Sequence, residues 1–312
     1  MNISVPQPDS TKLSYLASVS ATKEVLDTFG LATKKALGQH FLINDGVVRK
    51  ICDLAEVSHN DVVIEVGPGI GTLSVALLQR AGGVIAVERD SDLPQVLAQT
   101  TASFSTPFVL IEADALTITP EVLEKLKTPS LPYTQPNKLV SNLPYAVAAT
   151  IVLDYFEHLS ISSATVMVQA EVADRMMALP GTKNYGAYTV KLSLYAKSVG
   201  KFNVSEGNFF PPPRVKSAVI RLDRRNDALE KDLIEATALM ADAAFANRRK
   251  TITNSCRTFF KQQPAQSELT PEVLETIFNQ AGIDPTVRGE QLDRTAFLAL
   301  GEAYLKVTRK DQ

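Results

Sequence analysis

The sequence predicts an α/β protein: a parallel sheet with helices on both faces, followed by a small all-α domain. Three observations predict it. Short apolar, β-branched runs alternate with stretches of helical spacing as far as about residue 200. The first clear run breaks into a glycine-rich turn that leads into a helical stretch. After Arg225 the strand signal stops. The chain has 312 residues, enough for about two domains.

The elements follow in order. Residues 1–33 read as an N-terminal extension with a Ser/Thr/Pro-rich start and a short helix over 22–29. Apolar residues at Val47, Val48, Ile51, Leu54 and Ala55 predict a helix over 45–55. Residues 62–66 read as a buried strand, and 72–81 as the helix after the glycine turn. Further strands are predicted at 84–87, 107–111, 138–141, 164–169 and 215–222. Residues 228–260 read as one long helical stretch with a break near Ala246-Asn247. Thr270 and Pro271 open another helix as N-cap and first residue, and Gly282 stops it. Residues 292–307 form the last. The expected domains are 34–225 and 226–312.

Composition excludes several classes. Hydrophobic residues make up 45% and charged residues 21%, so neither disorder nor a disulfide scaffold is expected. The two cysteines, Cys52 and Cys256, lie far apart, as in a reducing compartment. The three histidines and two cysteines show no metal-ligand spacing. The start of the chain lacks the apolar region of a secretory signal, and the longest uncharged run, 93–111, is broken by prolines. The expected location is cytoplasmic. The net charge is only −2, but 214–261 holds 11 Lys/Arg against 6 Asp/Glu, which suits a localised anionic partner.

The sharpest motif is Val62-Val-Ile-Glu-Val-Gly67-Pro-Gly69-Ile-Gly71. Glycines let the backbone adopt positive φ and approach a ligand closely. The spacing is G-x-G-x-G, with the last glycine one residue earlier than in a dinucleotide fingerprint. Preceded by Glu65, it resembles the first motif of S-adenosylmethionine-dependent methyltransferases. Glu88 ends the next strand, 21 residues after Gly67, where a carboxylate accepts from ribose hydroxyls. Asp114 follows the third strand, placed to accept from an adenine amine, while Glu112 is expected to point away by strand alternation. The fourth strand ends in Asn142-Leu-Pro-Tyr145. The amine of a base is a poor nucleophile because its lone pair is delocalised into the ring. An Asn oxygen plus a backbone carbonyl accept its two protons, and Tyr145 stacks on a base that has left its helix. An ordinary Asn-x-Pro turn is the competing reading.

Taken with Lys35-Ala-Leu-Gly-Gln39-His-Phe-Leu42 and Phe209-Phe-Pro-Pro-Pro213-Arg-Val-Lys-Ser-Ala-Val, these motifs resemble the KsgA (RsmA) family of small-subunit rRNA adenine N6-dimethyltransferases over about residues 34–312. The resemblance implies a class I Rossmann-like fold with S-adenosyl-L-methionine as cofactor. It implies dimethylation of two adjacent adenines near the 3′ end of 16S rRNA, within the small ribosomal subunit or its precursor, by a monomeric enzyme. It further implies that His40, Leu42, Gly67, Glu88, Asp114 and Asn142 contact the cofactor, His40 as a lid contact. Asn142, Tyr145 and Phe209 hold the target adenine, the two rings sandwiching it. Ala113 stands where the family usually has glycine. Leu143 favours this family over Erm-type enzymes, which act on the large subunit and usually carry Ile there. A purely binding role in ribosome assembly is disfavoured by the intact Asn142, Tyr145 and Glu88. Arg248, Arg249 and Lys250 read as a phosphate-contacting ridge for rRNA; a solvated helix face is the alternative.

Overall fold

The computed structural model describes residues 6, 9, 11–32, 39–125, 135–263 and 269–309. The chain divides into two compact units, Met1–Ala173 with Ser198–Arg224, and Asp174–Lys197 with Arg225–Gln312.

The first unit runs α1 (Val19–Thr28), β1 (Phe41–Leu42), α2 (Asp45–Leu54), β2 (Val62–Val66), α3 (Thr72–Leu78), β3 (Gly83–Glu88), α4 (Pro94–Thr100), β4 (Phe108–Glu112), α5 (Pro120–Glu124), β5 (Lys138–Asn142), α6 (Ala148–His158), β6 (Ser163–Gln169), β7 (Ala196–Val204), β8 (Phe209–Phe210) and β9 (Ser217–Arg224). Seven strands form one sheet in the order β4-β3-β2-β5-β6-β9-β7. Strands β2 to β6 are those expected from the apolar runs, and their neighbouring pairs are all parallel. Every residue of β2 and β3 is buried, which is why, apart from Glu65 and the terminal Glu88, those runs are apolar on both faces rather than alternating. Asn44 starts α2 by accepting from the N–H groups of Gly46 and Val47.

Two features of this sheet differ from the expectation. β9 runs antiparallel to β6, so the sheet is mixed. β7 had no apolar run to announce it. It is the edge strand, and Lys197, Val199, Lys201 and Asn203 are exposed in alternation along it. Charged side chains on an edge discourage pairing with another chain.

The N-terminal segment is part of this unit's core. Ser18 caps α1 by accepting from Ala21. Leu16 and Val25 are fully buried among Ile70, Val75, Val96 and Leu97. The Tyr15 hydroxyl donates to the Thr100 carbonyl at 2.6 Å. Burial of each such aliphatic side chain is worth about 1.5–3 kcal/mol. The helix expected at 22–29 is present, three residues longer at its start.

The second unit contains α7 (Ala170–Met176), which begins just before it, then α8 (Ala187–Tyr195), α9 (Lys231–Phe245), α10 (Ile252–Lys261), α11 (Pro271–Ala281) and α12 (Arg294–Thr308). Asp174–Lys197 groups here rather than with the sheet, unlike a single cut at 225. Tyr185 and Val190 are buried with Met240, Phe278 and Phe297, and the Tyr185 hydroxyl donates to the Leu292 carbonyl. The stretch 228–260 is two helices, since α9 ends at Phe245 and Thr251 caps α10 by accepting from Asn254. Thr270 caps α11, and Gly282 ends it in the left-handed region at φ 67°. Among the described residues no helix is long and apolar enough to cross a membrane. No group of His, Cys, Asp and Glu there could hold a metal ion.

Candidate active site

A cleft of about 270 Å³ opens in the first unit at the C-terminal ends of the central strands. The strand order reverses between β2 and β5, and an open α/β sheet binds ligands outside the strand ends at that point. His40, Leu42, Gly67, Glu88, Asp114, Asn142 and Tyr145 all line it. Lys35–Gly38 of the first motif lies outside the described residues.

Gly67, Gly69 and Gly71 have φ of 66°, 60° and 91°. That conformation costs a side-chain-bearing residue energy, and space is short as well. A Cβ on Gly69 would meet the Phe41 ring at 3.1 Å, and one on Gly71 the Thr100 hydroxyl at 3.0 Å. The loop is therefore a bare backbone cradle.

Glu88 accepts from the N–H groups of Arg89 and Asp90 at 2.8 Å each. Burial pushes its carboxyl above the usual carboxylate value, and those N–H groups with that of Gly69 oppose the rise. Asp114 caps the turn after β4, accepting from Leu116, and its other oxygen lies 3.3 Å from Arg89. A carboxylate has about four acceptor positions, so both contacts leave capacity for a ligand. Glu112 stays out of the cleft, but not through strand alternation, which would put residues two apart on one face; β4 ends at Glu112, and Asp114 lies beyond it in the turn that it caps.

Two contacts fix atom identities around Asn142 and His40. The Asn142 amide nitrogen donates to the His40 carbonyl at 3.4 Å. A carbonyl only accepts, so the NH₂ must face it and Oδ1 is the acceptor left for a ligand. His40 Nδ1 lies 2.7 Å from the Pro211 carbonyl and by the same logic carries the proton. The His40 and Tyr145 rings are nearly parallel, 25° apart with centroids at 6.4 Å. The Tyr145 hydroxyl lies 2.6 Å from Ser217 Oγ.

Phe209 does not reach the cleft, which corrects its expected place opposite Tyr145. It is 2% exposed and packs with Leu42, Met167 and Val219. The cause is the two-residue ladder of β1 and β8, in which Leu42 faces Phe209 and Phe41 faces Phe210. Alternation turns the first pair into one core cluster and the second toward Ile70 and Leu93.

The sequence reading did not assign Asp90, Ser217 or a state to Glu65. Asp90 accepts from the Gln39 side chain at 2.8 Å and lines the cleft. Glu65 is 1% exposed and takes a 2.6 Å hydrogen bond from Ser74. Burial, with some help from Glu88, pushes its carboxyl up to about 8. The folded value thus exceeds the unfolded one near 4.5, so its contribution to stability is fully present below about pH 4.5 and lost as pH rises through about 8. Wild-type Tm is expected to fall relative to Glu65→Gln between about pH 5 and 9. Parallel Tm profiles would show that this carboxyl does not titrate in that range.

In the second unit Arg248, Arg249 and Lys250 lie in the turn between α9 and α10, not on a helix face. Arg248 is an internal strut: it pairs with Glu290 at 2.9 Å and donates to the Thr182 carbonyl. Arg249 and Lys250 are exposed.

Comparison with known proteins decides the family. Residues 30–278 match the model for "Ribosomal RNA adenine dimethylase". The chain belongs to this family. A relative named ribosomal RNA small subunit methyltransferase A from Geobacillus thermodenitrificans is 36% identical over 302 residues, covering 94% of this chain and 98% of the relative. One of the same name from Listeria monocytogenes is 38% identical, covering 91% and 95%. The first match leaves about 6% of the chain, roughly 19 residues, uncovered, fewer than the 33 set apart as an extension. Shared length therefore reaches α1, in keeping with its place in the core. Among solved structures, a dimethyladenosine transferase from Plasmodium falciparum shares the fold with TM-score 0.68 at 24% identity, covering 86% of this chain and 98% of that one. The 23S rRNA methyltransferase ErmE gives 0.60 at 26%, covering 84% and 98%.

Proposed function

We propose that the protein transfers methyl groups from S-adenosyl-L-methionine to N6 of two adjacent adenines near the 3′ end of 16S rRNA, in the small ribosomal subunit or its precursor. The observation that carries this reading is the pairing, in one cleft, of the bare glycine cradle with an Asn142 whose oxygen is turned to accept. When bound, the cofactor supplies an electrophilic methyl group on a sulfonium. Gly67 and Gly69 offer close backbone approach, and Glu88 and Asp114 supply carboxylate acceptors for its hydroxyls and amine. Leu42 and His40 line the same cleft.

The Asn142 oxygen and a backbone carbonyl of the same turn accept the two N6 protons, drawing the nitrogen toward tetrahedral geometry and freeing its lone pair. Tyr145 stacks on the adenine, a contact indifferent to sequence. Positioning and hydrogen bonding do the catalytic work. Arg249 and Lys250 of the second unit contact rRNA phosphates.

Labelled methyl transfer to purified small and large subunits lacking the modification tests this. Label should enter the small subunit and appear as N6,N6-dimethyladenine. Label confined to the large subunit would overturn the assignment in favour of an Erm-type activity. A second check concerns Glu88. Its replacement by Ala should weaken cofactor binding by about 1–3 kcal/mol, the usual worth of charged hydrogen bonds. Unchanged affinity in calorimetry would remove the ribose-binding role.

A further inference from the structure

We infer that Ser217 is a positioning residue for the methyl-acceptor base, acting through the hydroxyl of Tyr145. The inference rests on the reading that a target adenine stacks on Tyr145.

The geometry is specific. Asn142 ends β5 opposite Met167 of β6, and two residues further along β6 Gln169 stands opposite Ser217, the first residue of β9. Tyr145 follows Asn142 in the turn and reaches past the end of β6 to put its hydroxyl 2.6 Å from Ser217 Oγ. Ser217 is 1% exposed. Its neighbour Lys216 is held by the Ala170 N–H, which donates to the Lys216 carbonyl at 2.9 Å. The anchor therefore belongs to a strand rather than to a mobile loop, and strand-borne groups hold position best.

A tyrosine ring turns about two bonds, and tethering its tip restrains both. The ring cannot slide along the cleft without breaking the bond to Ser217, and the near-parallel His40 ring borders it within the same cleft. The plane of Tyr145 sets the height at which a base stacks, and so the distance from N6 to the Asn142 oxygen. With Phe209 buried in the core, that plane depends on Tyr145 and whatever holds it. A misplacement of about 1 Å in a transfer site can cost up to 10²-fold in rate.

A double-mutant cycle tests the assignment. Ser217→Ala and Tyr145→Phe each remove one end of the bond while keeping an aromatic ring at position 145. Each is expected to slow transfer at saturating subunit by about tenfold and to leave calorimetric cofactor affinity unchanged. The double variant should be no slower than either single one, because the second change removes nothing further. A crystal structure of Ser217→Ala should show Tyr145 in more than one rotamer, a readout that needs no substrate. Wild-type transfer rate in Ser217→Ala, multiplicative losses in the double variant, or a single unchanged Tyr145 rotamer would overturn the inference. If the large subunit proves to be the methyl acceptor, the substrate assignment fails. The same cycle on that subunit then judges Ser217 separately.

Discussion

Replacement of Asn142 by Ala is expected to lower methyl transfer by about 10²-fold or more, the usual loss on removing one transition-state hydrogen-bonding group. Cofactor binding should change far less. The reason lies in when the hydrogen bond matters. In the ground state the N6 lone pair is spread into the adenine ring and the amine is planar. As the methyl group is transferred, the nitrogen becomes tetrahedral and its protons more acidic, so the bond to Asn142 Oδ1 strengthens. An interaction stronger in the transition state than in the ground state acts on rate rather than on binding. The amide is held for this role by its other end, since Nδ2 donates to the His40 carbonyl. Asn142→Asp would keep acceptors but face that carbonyl with an oxygen, so it should not restore full activity. After the first methylation only one N6 proton remains. The monomethyl amine must then turn its methyl out of the transfer line, leaving one acceptor less well used, so loss of Asn142 should depress both steps. Mass spectrometry of rRNA treated with each variant reads mono- and dimethyladenine directly. Near-normal dimethyladenine from Asn142→Ala would refute the catalytic role.

The parts of this site that could be read from the sequence are those whose local chemistry demands particular residues. The β2 run, the glycines at positive φ and the carboxylate closing β3 each follow from backbone or ligand requirements, and the structure brings Gly67, Glu88, Asp114, Asn142 and Tyr145 to one cleft. What escaped depends on tertiary pairing. β7 is an exposed edge strand whose alternating Lys, Val and Asn residues carry no buried-strand signature. β9 pairs antiparallel with β6, and strand direction leaves no mark on the periodicity of a run. Phe209 and Phe210 are adjacent aromatics, and only the two-residue ladder with β1 decides which one faces the core. Ser217 belongs to the motif that starts at Phe209, but nothing local gives it a role until folding sets it beside Tyr145, with β6, β7 and β8 between them in the chain. The buried state of Glu65 likewise requires knowing that β2 is covered on both faces.

Charge reversal of Arg249 and Lys250 together should weaken binding to the small subunit by about 10²-fold at low salt and flatten its log-log salt dependence by about 1.5–2. The basis is counterion release: each phosphate neutralised by a side chain contributes close to one unit of slope, so two lost contacts are read in the slope itself. The choice of residues matters. Arg248 sits in the same basic run, but it is committed to Glu290 and the Thr182 carbonyl. A glutamate at 248 would face Glu290 and loosen the second unit, reducing binding for a reason unrelated to RNA. Arg249 and Lys250 are exposed in the turn between α9 and α10, where a new charge disturbs no core contact. Their reversal should leave Tm within the range of ordinary surface substitutions, about 0.5 kcal/mol of stability, and cofactor affinity unchanged. Filter binding across a salt series, with calorimetry and thermal melts on the same variant, separates the two readings. If subunit affinity and slope survive, the basic turn is a solvated surface.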